Sequence, residues 1–259
     1  YRTCEILLES ARESGADIVA FGGKTFPTMH WADASFAARD TVYTNNSIQA
    51  LLYEAGSTPL MCNKMYKRAL IESKHFRFNE GLKLGEDNAF QFSIFPEANV
   101  ISYVANKLYY YRGRPDSAVV SRKDKHGEKL CMHFEVVKQV VGDWSSRGLM
   151  PGHERELLEW ACSFLFNDAP ETEFDDRSRF SKGFDAFVDE YFPSSVCEGL
   201  TEPIRERLNF LRRAWRTLDV DPLFSVVVTD IDDTSDFAGG IASIAFQTEQ
   251  RMEILLVDE

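Results

Sequence analysis

Apolar residues fall at helical spacing over residues 1–14, with Cys4, Leu7, Leu8 and Ala11 on one face and Gly15 placed to end the helix. The run Asp17-Ile-Val-Ala-Phe21 is short and apolar, and Gly22-Gly23 closes it, which predicts a buried strand after that helix. Residues 24–43 carry no clear period and read as a loop, with a short strand at Thr41-Val-Tyr43. Asn45 or Asn46 can cap a helix running through Leu51, Leu52 and Ala55 to Gly56. A second helical pattern covers 61–71 and leads through His75-Phe-Arg-Phe78 to Gly81-Leu-Lys-Leu-Gly85. Glu86-Asp87 then open a helix that continues as Asn88-Ala-Phe-Gln-Phe-Ser-Ile-Phe95.

Val100-Ile-Ser-Tyr-Val104 and Leu108-Tyr-Tyr-Tyr-Arg112 read as two strands joined by Ala105-Asn-Lys107, with a turn at Arg114-Pro-Asp-Ser117. Helical periods follow near 126–146, 151–167, 177–191 and 203–217, broken at Gly148-Leu-Met-Pro151, Pro170 and Pro193. After the linker Asp219-Val-Asp-Pro222 comes a strand at Phe224-Ser-Val-Val-Val-Thr229, a helix at 237–248 and a strand at 253–258, the start of a new α/β unit.

With 259 residues and 44% apolar content, the chain can build one large or two small cores. A net charge of -12 argues against broad electrostatic binding of nucleic acid or anionic lipid. Cys4, Cys62, Cys131, Cys162 and Cys197 stand singly, without CxxC or metal-ligand spacing, and read as buried thiols in a reducing compartment. His30, His75, His126, His133 and His153 form no i, i+4 pair, and ordinary positions are expected for all five. No apolar run reaches the roughly 18 residues of a membrane span. The chain starts at Tyr1 inside an amphipathic pattern and stops in a strand, so both ends read as cut.

In order and spacing, Asn63-Lys-Met-Tyr-Lys67, Phe76-Arg-Phe78, Gly85-Glu-Asp-Asn-Ala-Phe90, Tyr109-Tyr-Tyr-Arg112 and Arg114-Pro-Asp-Ser117 resemble the second half of a family-2 inverting glycosyltransferase domain of the GT-A fold. Phe224-Ser-Val-Val-Val228, Ser243-Ile244, Gln247-Thr248 and Glu253-Ile-Leu-Leu-Val-Asp258 resemble the opening of a second copy. The expected organisation is 1–121 as the later half of one GT-A domain, 122–221 as a helical appendage and linker, and 223–259 as the start of another. One departure is Thr229-Asp-Ile-Asp-Asp-Thr234, where the family has a Pro-x-Asn turn, so the resemblance is weakest at that nucleotide site. The expected fold class is therefore α/β: a partial, Rossmann-like mixed sheet with a helical region and the start of a second unit.

The resemblance implies transfer of a sugar from a nucleotide-sugar to an acceptor hydroxyl of a glycan, with inversion, in surface polysaccharide synthesis. It assigns the base to Asp87, with Glu86 shaping its surroundings, and acceptor-side positions to Asn63 and Lys64. Arg112 and Arg114 have the donor forks to hold a diphosphate, although arginines at strand ends are usually solvated or paired locally. Asp258 matches the residue that contacts the nucleoside. A divalent cation, Mg or Mn, is expected for the complete enzyme. Its Asp-x-Asp ligands would lie before Tyr1 and, for the second copy, beyond Glu259, so the chain alone is expected not to transfer sugar. A cytoplasmic place follows from the same resemblance, at the inner face of the membrane if further parts tether it there.

Plainer readings exist for each feature. Acidic residues at a helix start complement its dipole without any catalytic role. The tyrosines at 109–111 can stack on sugars, although strand aromatics more often fill cores. Val226-Val-Val-Thr-Asp-Ile-Asp-Asp-Thr234 also imitates the first motif of haloacid-dehalogenase-type phosphatases, with Asp230 as nucleophile and Asp232 as acid. The helical region can equally be a docking module that catalyses nothing.

Overall fold

The computed structural model describes residues 2–114, 125–172, 174–212, 224–228 and 252–256. The pattern of the first residues is realised directly. Helix α1 (Thr3–Ser14) ends at Gly15, whose left-handed backbone, φ 72°, suits a residue without Cβ. Strand β1 (Ile18–Phe26) follows and runs through Gly22 and Gly23, beyond its expected end at Phe21. A Cβ on Gly22 would lie 2.6 Å from the Ala105 carbonyl oxygen, and one on Gly23 would strike the Phe36 ring at 2.5 Å. The two glycines are thus points of close approach inside a strand.

A short helix α2 (His30–Ala34) and strand β2 (Thr41–Thr44) occupy the stretch without a period. Helix α3 (Ser47–Tyr53) comes next. The helix expected over 61–71 does not form: strand β3 (Lys64–Tyr66) pairs antiparallel with β1, and only Arg68–Ser73 is helical, as α4. Tertiary pairing overrides the local pattern here, because Ile18, Val19 and Ala20 of β1 take Tyr66, Met65 and Lys64 as partners.

Helix α5 (Glu86–Ile94) is entered through Gly85. The two strands expected after it are one, β4 (Val100–Arg112), parallel to β1. Its register shifts where Phe21 and Gly22 face Val104 and Lys107, so the residues read as a connection form a bulge. Strand order is β2-β4-β1-β3. Asp17 locks one end of this sheet: its carboxylate accepts from Lys67 Nζ at 2.9 Å and from the Asn99 N–H at 2.9 Å. Burial alone would raise its pKa, but these donors outweigh that and hold it below the usual carboxylate value.

Helices α6 (His126–Ser146), α7 (Glu154–Phe166), α8 (Phe174–Tyr191), α9 (Ser194–Glu198) and α10 (Glu202–Arg212) make up the helical region. It shares its core with the sheet. One apolar cluster runs from Ile18, Ile101 and Tyr103 through Phe92 of α5 to Trp144, Leu158 and Phe184. Two joints are polar and reach main chain: Trp144 Nε1 donates to the Phe92 carbonyl at 2.8 Å, and Arg147 donates to that of Ser93 at 3.0 Å. Asp168, 2% exposed, accepts from Lys129 Nζ at 2.6 Å and meets His133 Nδ1 at 2.7 Å.

Strands β5 (Phe224–Val228) and β6 (Met252–Leu256) pair in parallel as a separate two-stranded sheet, as a strand, crossover and strand require. The linker at 219–222, the helix at 237–248, Asp230, Asp232 and Asp258 fall outside the described residues. No helix among the described residues is long and apolar enough to cross a membrane.

Candidate active site

Alongside Phe21 in the middle of β1, just past its last pair with β3, the chain from Gly56 to Lys64 turns back toward the sheet, and the Phe21 N–H donates to the Asn63 carbonyl at 2.9 Å. Asn63 fixes this turn. It is fully buried, and its Nδ2 donates to the carbonyls of Phe21, at 3.3 Å, and Gly56, at 3.2 Å. Its Oδ1 accepts from Lys64 Nζ at 2.7 Å, and the same ammonium donates to the Leu60 carbonyl. Asn63, expected on the acceptor side, therefore spends its amide on the protein itself.

Helix α5 brings the dyad to this turn. Gly85 has φ 77°, and a Cβ there would lie 2.9 Å from Val136 Cγ2 of α6, so glycine sets both the entry of the helix and its seat. Glu86 is exposed, whereas Asp87 is half-buried and Asn88 through Phe92 are buried. Phe90 stacks on Phe78 at 4.5 Å and meets Tyr66 edge-on at 5.8 Å, which closes the side of the first turn. Asp87 Oδ1 accepts from the Asn88 N–H at 2.8 Å.

Burial pushes the Asp87 carboxyl up to about 6; the Asn88 N–H opposes the shift, the Glu86 charge adds to it, and Lys64 opposes it again. Burial likewise pulls the Lys64 ammonium down to about 7, against the charges of Cys62 and Asp87. The Cys62 thiol is raised by burial and moderated by Lys64 and by its hydrogen bond with Tyr109. Tyr111 is raised by burial first, then by Cys62 and Asp87, while Arg114 works against the shift. Asp87, Lys64, Cys62, Tyr109 and Tyr111 therefore form one electrostatic group. A carboxylate that merely complements a helix start is expected to titrate low; Asp87 titrates high.

Other expected residues lie farther out on this surface. Arg112 and Arg114 are exposed at the end of β4, and the Arg114 charge acts on Tyr111. Cys62, Tyr66 and Trp31 join the site without having been singled out as site residues, Trp31 through its edge contact at 6.4 Å with Tyr111, a member of the triplet weighed above as a sugar-stacking surface. Of the five cysteines expected to be buried, Cys162 is, Cys62 and Cys197 are half-buried, and Cys4 and Cys131 are exposed. No local signal marks Cys62, because its place follows from β3 being a strand. Among the described residues no group of three or more His, Cys, Asp or Glu side chains could hold a metal ion. Glu86 and Asp87 are two carboxylates, short of such a group.

A separate cavity of about 200 Å³ lies away from the dyad, lined by residues of α3 and α7 that include Tyr53, Glu156, Glu159 and Trp160.

No protein-family model matches the chain. Over 100 residues it is 29% identical to poly(ribitol-phosphate) beta-N-acetylglucosaminyltransferase TarS of Staphylococcus aureus, a match covering 37% of this chain and 16% of that protein. The crystal structure of S. aureus TarS 1-349 in complex with UDP-GlcNAc superposes with a TM-score of 0.64 at 19% identity, over 82% of this chain and 59% of that one. The complex of the same protein with UDP gives 0.57 at 18% identity, over 81% and 58%. The chain thus spans less than two thirds of the length of the proteins it matches, and over that span it has the mixed α/β fold of the TarS structures.

Proposed function

We propose that this chain carries the acceptor-side half of an inverting glycosyltransferase site, with Asp87 as its base. The observation that carries the reading is the half-buried carboxylate at the start of α5, raised to about 6 in a group with Lys64, Cys62, Tyr109 and Tyr111. Such a base is ionised at neutral pH yet basic enough to accept a proton as a new bond forms. The acceptor hydroxyl loses its proton to an Asp87 carboxylate oxygen while its own oxygen bonds to the anomeric carbon. The bond from that carbon to the diphosphate oxygen breaks on the opposite face, and the nucleoside diphosphate leaves with the electron pair.

The sequence match to an N-acetylglucosaminyltransferase and the likeness to structures holding UDP and UDP-GlcNAc support a nucleotide-sugar donor. The same match supports a surface polyol-phosphate or glycan acceptor. Glu86, Arg112 and Arg114 are the exposed polar groups that would meet the substrates at the rim.

Asp87→Asn in the protein that carries this chain, assayed for sugar transfer from UDP-GlcNAc, is expected to cut turnover about 10²- to 10⁴-fold with the fold intact. Unchanged turnover in the folded variant would remove Asp87 from the chemistry and favour a docking role for the chain.

A further inference from the structure

Side chains of a strand alternate between its faces, so Tyr109 and Tyr111 of β4 share one face of the sheet and Tyr110 takes the other. Tyr109 is hydrogen-bonded to Cys62, and Tyr111 meets Trp31 edge-on at 6.4 Å with the rings at 77°. Cys62 belongs to the turn that main-chain bonds tie to the dyad. Gln91, fully buried, donates from Nε2 to the Pro59 carbonyl at 2.8 Å and to the Asp87 carbonyl at 3.0 Å. A row of uncharged side chains, Trp31, Tyr111, Tyr109 and Cys62, therefore leads up to the start of α5.

Trp31 is 53% exposed, yet the chain that carries it is pinned. The Thr25 N–H donates to Asp33 Oδ1 at 2.8 Å, the Met29 N–H donates to Thr25 Oγ1 at 2.7 Å, and Ala32 beside the indole is fully buried. Behind them the Gly113 N–H donates to the Phe26 carbonyl at 2.9 Å, and a Cβ on Gly113 would lie 3.0 Å from Met29 Sδ. A half-exposed indole forgoes much of the gain of burial, and here it is held in place all the same.

We propose that Trp31, backed by Tyr111, is a stacking subsite for a pyranose ring of the acceptor, which makes the acceptor a ring-sugar glycan and not a bare polyol phosphate. The acceptor role rests on the functional reading above; the binding of a sugar ring at Trp31 does not. The C–H bonds on one face of a pyranose are slightly positive and the face of an aromatic ring is negative, so the two stack. The indole N–H and phenol O–H groups can then meet sugar hydroxyls. A linear polyol phosphate offers no ring face, and its phosphates call for cations. The row from Trp31 to Cys62 contains none, Arg112 and Arg114 standing past it at the end of β4.

The test is a nitrogen-15 NMR titration of the whole chain labelled at its four tryptophans, with the Trp31 indole resonance assigned from Trp31→Phe. The probes are the methyl pyranosides of glucose, galactose, mannose and N-acetylglucosamine, the β-linked N-acetylglucosamine disaccharide, and ribitol 5-phosphate. At least one sugar is expected to shift the Trp31 resonance saturably in the millimolar range, while that of the fully buried Trp144 stays still. Ribitol 5-phosphate is expected to leave Trp31 unmoved. A Trp31 resonance that answers none of the sugars, or answers ribitol 5-phosphate as strongly, overturns the proposal. Where transfer to the sugar that shifts Trp31 is measured, Trp31→Ala is expected to raise the KM for that sugar about tenfold, with kcat and the KM for UDP-GlcNAc little changed. Trp31→Phe, which keeps a ring, is expected to recover part of the loss. Trp31→Leu, apolar but without a ring face, answers the same question if the alanine variant does not fold. An unmoved KM for the sugar in a folded variant, or a rise in that for UDP-GlcNAc instead, overturns the acceptor assignment. A sugar bound at Trp31 in a protein that transfers none would keep the subsite and sink the functional reading.

Discussion

At pH 8 Asp87 is ionised while Lys64, weakened to about 7, is mostly neutral, so the carboxylate is held partly out of water with little compensation. A carboxyl raised in the folded state binds its proton more tightly there than in the unfolded chain, so its contribution to stability falls as pH rises from about 4 to about 6 and stays low above that. Asp87→Asn is therefore expected to stabilise the fold by about 1–2 kcal/mol at pH 8. The gain should fade toward pH 4, where the native carboxyl is protonated; thermal melts at the two values check this. A variant less stable than the native protein at pH 8 would contradict the account. The dyad itself was legible, since Gly85 followed by two acids and a buried helix is a local pattern. Lys64 was expected on the same acceptor side through the family resemblance, whereas Cys62 was not: its electrostatic coupling to Lys64 and Asp87 follows from residues 64–66 pairing with β1, which no periodicity announces.

At the scale of elements, α5 is held at its entry and along its middle. Gly85→Ala forces a left-handed backbone on a side-chain-bearing residue and drives its Cβ against Val136, so a loss of about 2–3 kcal/mol in urea unfolding is expected. Val136→Ala added to it should recover part of that loss, because the contact lies 2.9 Å away while the backbone strain remains. Trp144→Phe leaves the buried Phe92 carbonyl without its donor and is expected to cost about 1–3 kcal/mol. Helix α6 was read at its observed bounds because its apolar stripe is long and uninterrupted. Strand β1 outran its reading because glycine normally punctuates a strand, whereas here Gly22 and Gly23 are demanded by the Ala105 carbonyl and the Phe36 ring. Neither neighbour is visible in the local sequence.

Over the whole molecule, sheet and helical region melt together if they share one core. A single cooperative thermal transition is expected from Trp fluorescence and far-ultraviolet circular dichroism, with coincident midpoints. A chain cut after residue 114 would leave the inner face of α5 without Val136, Trp144 and Leu158 and is expected not to unfold cooperatively. Two separated transitions in the intact chain would contradict the shared core. The likeness to a glycosyltransferase was legible from five short strings in order, among them Asn63–Lys67 around β3, Gly85–Phe90 at the start of α5 and Tyr109–Arg112 at the end of β4. Continuity of the core was not, because it depends on which faces of α5 and α6 meet.

The bundle grips α5 through Trp144 and Arg147, and both take hold of peptide oxygens at Phe92 and Ser93. Peptide oxygens are common to every residue type. Substitutions at positions 92 and 93 would therefore leave these bonds available, and drift in the α5 sequence need not uncouple it from its support. For recombination between related chains, crossover points within 85–147 would break the joint, whereas exchange of that stretch as one block would carry it over whole.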